Sequence, residues 1–300
     1  MNLQAGSTRT DFRVSLVEPW FLGQKLSLGT DLYYRDLVFL SPEYDQRNIG
    51  ASVFLRKPVG RRSYVKGEYR IETVEIEAES DTTQAFKDEE DEYLRSALSL
   101  NYVYDSRDSN QLPRRGHKVD LGLIYAGGLL AGDIDTITFT GSGTKHWSLP
   151  FDAILTARGS FAVVDSHGDN DHIPIFERQF LGGARDLRGF DFRNIGPRDD
   201  IGPNPTQEVL GGATSVFGSL ELTFPVIGQV RGAVFYDAGF VNLDSWDFNT
   251  GRLASDIGVG VRLNLPGIGP LAVDFAVPVE TPDEQADDGS QIQFYMDYQF

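Results

Sequence analysis

The chain of 300 residues contains no cysteine, so it can build neither a disulfide framework nor a thiolate nucleophile or metal site. No apolar run approaches the roughly 18 residues that a membrane-spanning helix requires. Positive charge is in the minority, with 27 Lys and Arg against 44 Asp and Glu and a formal net charge of -17. A nucleic-acid binder needs a basic footprint, and that class is excluded. Histidine is scarce at 4 and methionine at 2. No charged stretch or apolar core of a signal peptide follows Met1, so the sequence reads either as a chain whose targeting signal has been removed or, the favoured reading, as a fragment of a longer exported chain.

What is abundant is glycine (32), aromatic residues (12%) and period-2 alternation. The last ten residues alternate without a break. Ile292, Phe294, Met296, Tyr298 and Phe300 fall on one parity, and Gln291, Gln293, Tyr295, Asp297 and Gln299 on the other. A strand turns successive side chains to opposite faces, so one face here is large and apolar and the other polar. A transmembrane β-barrel needs such a strand, because its outer face meets lipid and its inner face meets water. A mean hydropathy of -0.27 suits that reading, since half of each barrel strand is polar.

Fourteen strand-like segments can be marked, at 2–9, 12–19, 25–38, 44–57, 62–78, 93–105, 117–127, 133–148, 152–165, 213–224, 229–241, 252–265, 270–279 and 291–300. Short connections, most with proline, alternate with longer polar ones at 79–92, 166–212, 242–251 and 280–290. Short turns at one end and long loops at the other are the layout of an outer-membrane barrel. The acidic runs Glu75–Glu79, Asp88–Glu92 and Asp283–Asp288 read as solvated loop tips. A soluble sandwich would have to bury Glu221, Asp237, Asp256 and Arg262 in its core, whereas a hydrated interior accepts them. The fold class expected is all-β, one transmembrane antiparallel β-barrel domain over 1–300.

The segment 166–212 is too long for an idle connection. Phe176, Phe180, Phe190 and Phe192 are interleaved with arginines, which predicts that the loop packs rather than floats. The nearest cavity is the barrel lumen. Its centre, Leu187-Arg188-Gly189-Phe190 followed by Ile195-Gly196-Pro197-Arg198, resembles the sixth extracellular loop of the outer-membrane assembly insertases, the BamA group. Gly218-Ser-Leu-Glu221-Leu-Thr-Phe-Pro225 and Val234-Phe-Tyr-Asp237-Ala-Gly239 are similar to the barrel strands that follow that loop. Asp105 to Gly116 resembles a turn of the same family, and Pro19-Trp20-Phe21 the close of an early strand. The resemblance covers essentially the whole chain and is most specific from 176 to 300.

The resemblance implies that the loop folds into the barrel and that Arg188 meets Glu221 and Asp237 on the inner wall. Alternation agrees: Leu220, Leu222 and Phe224 leave Glu221 inward, and Val234, Tyr236 and Phe240 leave Asp237 inward. It further implies a sixteen-strand barrel, of which fourteen strands are seen here, preceded by periplasmic repeat domains. The last strand would form a weak seam with the first, where strands of unfolded client barrel proteins add. The implied partners are the lipid bilayer, those clients, and lipoproteins of an assembly complex reached through the periplasmic domains. The implied place is the bacterial outer membrane. No cofactor, metal or covalent chemistry is called for; Asp165, Ser166, His167, Asp169 and His172 cluster at a loop rim but read as solvated. Two other readings stand beside this one: a sister assembly or two-partner secretion transporter of the same superfamily, and a passive diffusion porin whose constriction is lined by Arg188.

Overall fold

Alternating side chains give strands and little else. The structure, a computed structural model, describes residues 2–6, 9–41, 44–80, 82–168, 172–199, 208–265, 269–282 and 289–296. Among the described residues the strands are β1 (Asn2–Gly6), β2 (Arg9–Glu18), β3 (Ser27–Ser41), β4 (Tyr44–Pro58), β5 (Ser63–Ala78), β6 (Glu92–Asp105) and β7 (Gly116–Ala126). They continue as β8 (Thr136–Ser148), β9 (Ile154–Ser166), β10 (Thr214–Ile227), β11 (Val230–Asn242), β12 (Ala254–Leu265), β13 (Gly269–Glu280) and β14 (Gln291–Met296). The fourteen form one sheet in chain order, each beside its sequence neighbours. One α-helix of a single turn, α1 (Gln84–Lys87), lies between β5 and β6, and none of the described helices is long and apolar enough to cross a membrane.

Element existence follows the alternation closely, and the ends drift by a few residues. Thr10 and Asp11, read as a break, belong to β2 because they pair with Asp36 and Arg35 of β3. Strand β10 runs past Pro225 to Ile227 through a register shift, which lets the proline sit where no ladder hydrogen bond is needed.

The first of two compact units comprises residues 1–104, 121–139 and 164–178. In it Tyr33, Gly50, Glu72 and Arg95 fall in one cross-strand row of β3 to β6. Their face is polar and closed: the Tyr33 hydroxyl donates to Glu72 at 2.7 Å, and Arg95 donates to Glu72 at 3.1 Å and also to Glu177 of the long loop. The opposite parity carries Leu32, Ile49, Ile71, Leu94 and Leu98, all exposed. The reading of the acidic runs as solvated loop tips fails in part: Glu75 lies within β5 and accepts from Arg47 at 2.7 Å, and Asp283–Asp288 lies outside the described residues. Glu89 is no solvated loop tip; it is buried, and accepts from Arg178 at 2.6 Å, the Ile175 N–H at 3.2 Å and His172 at 3.2 Å. The acidic run thus supplies an anchor for the long loop.

The second unit comprises residues 105–120, 140–163 and 179–300. Its strands β9 to β14 pair antiparallel in register, with Glu221 opposite Phe235 and Asp237 opposite Asp256. The inner parity of β12 and β13 is buried through Asp256, Arg262, Ala272, Asp274 and Ala276. The outer parity places Leu222, Val234, Tyr236, Ile257, Val259 and Phe275 along an open apolar groove of about 590 Å³. Phe240 has the parity of Val234 and Tyr236 but is buried, so the outward band ends below it.

Large apolar side chains in this number cannot face water without cost, at roughly 25 cal/mol per Å². Lipid satisfies them. Val259→Arg, in the middle of the band, is therefore expected to destabilise the protein in phospholipid vesicles by about 2–4 kcal/mol. Urea unfolding followed by tryptophan fluorescence measures this, and an unchanged midpoint in vesicles would count against an apolar surrounding for this face.

Candidate functional site

The long loop reaches the inner strand face through its own scaffold. Isolated bridges Gln179↔Gly212, Leu181↔Ile195 and Arg198↔Val209 fold it into a ribbon. Asp186 accepts the N–H groups of Gly182 (2.6 Å) and Leu187 (2.7 Å), which turns the chain at the tip. Burial pushes the Asp186 carboxyl above the usual range, against the pull of those two donors. Leu187, Phe190, Leu181 and Ile195 then pack with Phe217, Val241 and Ala254 in one apolar cluster. Of the four loop phenylalanines, Phe192 stays largely exposed, and the arginine beside it, Arg193, lies over the Phe180 ring.

That cluster delivers Arg188 to the strands with no exposed surface. Its Nε and Nη2 donate to the two carboxylate oxygens of Asp237 at 2.7 and 2.9 Å, a bidentate grip. Its Nη1 donates to Glu221 at 2.7 Å and to Asp274 at 3.2 Å. The guanidinium carbon lies 3.3 Å from the centroid of the Phe235 ring, a cation–π contact. The ring can lie there because position 258 is glycine: a Cβ would stand 2.2 Å from it. Gly189 is required for the same reason of approach, since its Cβ would come within 2.5 Å of the Asp256 Cβ. Burial opposes the charge of Arg188, but the bonds and charges of Asp237 and Glu221 outweigh it and hold the guanidinium protonated.

A second guanidinium completes the set. Arg262 donates to Glu221 at 2.7 Å and grips Asp274 through Nη1 and Nη2, the latter at 3.0 Å. Tyr295 of β14 donates to the same Asp274 at 2.9 Å, and the Gln293 amide of β14 donates to the Phe190 carbonyl at 3.4 Å. The polar face of the last described strand therefore meets both the cluster and the loop tip. Asp256 is buried opposite Asp237, against the backbone of Gly189.

A family model described as the Omp85 superfamily domain matches residues 1–300. The chain belongs to the Omp85 superfamily. Among curated proteins, this Omp85 chain is 27% identical over 297 residues to the outer membrane protein assembly factor BamA of Nitratidesulfovibrio vulgaris, covering 96% of the chain and 36% of that protein. It is 30% identical over 224 residues to the human sorting and assembly machinery component 50 homolog, covering 68% of the chain and 46% of that protein. The chain thus spans under half the length of either. Among solved structures, BamA from Haemophilus ducreyi lacking POTRA domains 1-3 aligns with a TM-score of 0.82 at 22% identity, covering 96% of this chain and 63% of that one. CdiB from Acinetobacter baumannii aligns with a TM-score of 0.60 at 14% identity, covering 96% and 50%. The fold is that of the BamA barrel.

In this Omp85 chain the apolar residues of the last strand keep to the outer face. Ile292, Phe294 and Met296 are exposed and pair with Phe275, Val273 and Leu271 of β13, while Tyr298 and Phe300 lie outside the described residues. The histidines of the loop rim are otherwise engaged. His167 meets the Ala126 carbonyl at 2.9 Å and stacks on Tyr125, His172 meets Glu89, and Asp169 lies outside the described residues. Sequence reasoning placed Arg262 and Asp256 on the polar face without joining them to Arg188, and did not single out Asp274 or Tyr295. Strand parity was the available signal for all of them.

Each buried ion loses several kcal/mol of hydration, so the cluster positions the loop more than it stabilises the fold. Removing one member is another matter. Arg188→Ala strands the carboxylates and is expected to cost about 3–5 kcal/mol. Arg188→Lys should rescue little, because a point charge cannot hold Asp237 through two bonds and reach Glu221 as well. Limited proteolysis between Arg178 and Arg198 together with urea unfolding reads both effects. A loop as protected in Arg188→Ala as in the unaltered protein would refute the positioning role.

Proposed function

We propose that this chain is the membrane part of an outer-membrane β-barrel assembly factor, which inserts and folds client barrel proteins and catalyses no covalent chemistry. The observation that carries the reading is the junction of loop tip and last strand, through Gln293 with Phe190 and Tyr295 with Asp274. A passive pore needs a constriction, but not one bonded to the strand at the end of the sheet order. Two relatives named for assembly, outer membrane protein assembly factor BamA and the sorting and assembly machinery component 50 homolog, support the same reading.

In this mechanism β14, paired on one side with β13, is one wall of a lateral seam. An available strand edge is a template, and a client hairpin adds there by β-augmentation. No external energy source is required, because lipid burial of the client's apolar strand faces drives the product. Arg188, held by Asp237, Glu221 and Asp274, keeps the loop in place while the seam changes partners. The partners are the lipid bilayer, unfolded client barrels, and lipoproteins of an assembly complex engaged through periplasmic domains. The place of action is the bacterial outer membrane, with the short turns on the periplasmic side.

Proteoliposomes carrying the protein are expected to speed the appearance of heat-resistant folded client over empty liposomes. Arg188→Ala should slow that by about tenfold, the scale of ~1.4 kcal/mol of lost positioning. Because the chain has no cysteine, Gln291→Cys gives a unique site for cross-linking to a cysteine in a client strand. Steady single-channel conductance with no acceleration of client folding would instead identify a diffusion porin.

A further inference from the structure

The outward band of the second unit is broken at one place by small residues. Phe161 on β9 is exposed, and a Cβ built on Gly141 of β8 would stand 2.2 Å from its ring, so these odd positions share the outer face. Gly143, Lys145 and Trp147 on β8 and Ala157 and Gly159 on β9 therefore point outward together. Gly159 pairs with Gly218 of β10, whose own parity is that of the exposed Leu220. A Cβ on Gly218 would meet nothing within 4 Å, and one on Gly143 nothing nearer than 4.0 Å. The result is an open notch of about 490 Å³, lined by Gly143, Lys145, Ala157 and Gly159 with His117 and Val119, and bordered by Lys118, Thr144 and Arg158 of the opposite parity.

Lys145 is out of place on such a face. Its ammonium lies 5.9 Å from the Trp147 ring, and no carboxylate pairs with it among the described residues. The neighbouring cations Lys118 and Arg158 have inward parity; Arg158 donates to the Arg185 carbonyl of the loop at 3.3 Å, and Lys118 is close enough to Asp105 to help hold its charge. Trp147 stands just before the short turn at Leu149–Ala153, where the Leu149 N–H donates to the Ala153 carbonyl. An outward aromatic at a strand end belongs to the interfacial girdle of a membrane barrel, level with lipid headgroups. A lysine two residues farther in reaches that level by extending its stem. In a chain of net charge -17, an unpaired outward cation beside an unfilled notch needs an anion from the lipid side.

We propose that this notch binds the headgroup of an anionic phospholipid of the short-turn leaflet. The phosphate accepts from the Lys145 ammonium, Trp147 flanks the glycerol, and an acyl chain lies over Gly143 and Gly159. The proposal rests on the reading that the outward band is embedded in the outer membrane.

Native mass spectrometry of the detergent-solubilised protein with phosphatidylglycerol, phosphatidylcholine or inorganic phosphate tests it. Phosphatidylglycerol is expected to bind and phosphatidylcholine to bind at least tenfold more weakly. Lys145→Gln should lower phosphatidylglycerol affinity by about tenfold, the scale of one charge-assisted hydrogen bond, and Lys145→Arg should retain it. Gly159→Leu fills the notch with the charge intact and should lower it as much, with the folded, heat-modifiable band kept on gels. Equal phosphatidylglycerol binding in Lys145→Gln and Gly159→Leu overturns the proposal, as does equal affinity for both lipids or displacement of the lipid by millimolar inorganic phosphate. Flotation with phosphatidylcholine vesicles separates the two readings. A protein that fails to float refutes the membrane placement itself, whereas one that floats but does not select phosphatidylglycerol refutes only the notch.

Discussion

Arg188 carries a full positive charge into a place without solvent, and every group around it is arranged to answer that charge. Carboxylates come from three strands, Glu221 on β10, Asp237 on β11 and Asp274 on β13, and an aromatic face comes from Phe235. The dependence runs both ways. Without the loop, Glu221 and Asp274 would be left sharing Arg262 and Asp237 would lose the cation that grips it, and without the acids the loop tip could not desolvate its guanidinium. The apolar cluster around Leu187 and Phe190 contributes the burial, while the ion pairs determine where the tip stops.

The first unit uses the same principle with both signs. There the loop brings the acid Glu177 to Arg95 of β6, and brings Arg178 to Glu89. One connection is thus tied by opposite charges at 177 and 178 and by a single arginine at 188. A loop of this length with only apolar contacts could slide along an inner face. Charge-assisted bonds have fixed directions, so they set its register as well as its depth.

Period-2 alternation made the strands legible, since one parity must satisfy lipid and the other water. It told which residues face inward, and so placed Asp256 and Arg262 correctly without a partner for either. It could not say which inward residues of β12, β13 and β14 share a level with the loop tip. That depends on register between strands, which side-chain parity leaves open. Tyr295 shows the limit: its parity was plain, but its bond to Asp274 needs the register that pairs Ala272 with Tyr295 and Asp274 with Gln293. Glu89 was misread because a run of acids looks solvated until a loop from elsewhere lands on one of them. Phe192 is the converse case, since an aromatic within a packed loop can still point away.

The contact of Gln293 with the Phe190 carbonyl has a consequence that belongs to thermodynamics rather than geometry. If displacing β14 weakens the hold on the loop tip, linkage requires that loosening the tip weaken the hold on β14 by the same free energy. Plug and terminal strand are then a single balance read from either end. A ligand, a substitution or an incoming strand acting on one of them must register on the other, whichever moves first.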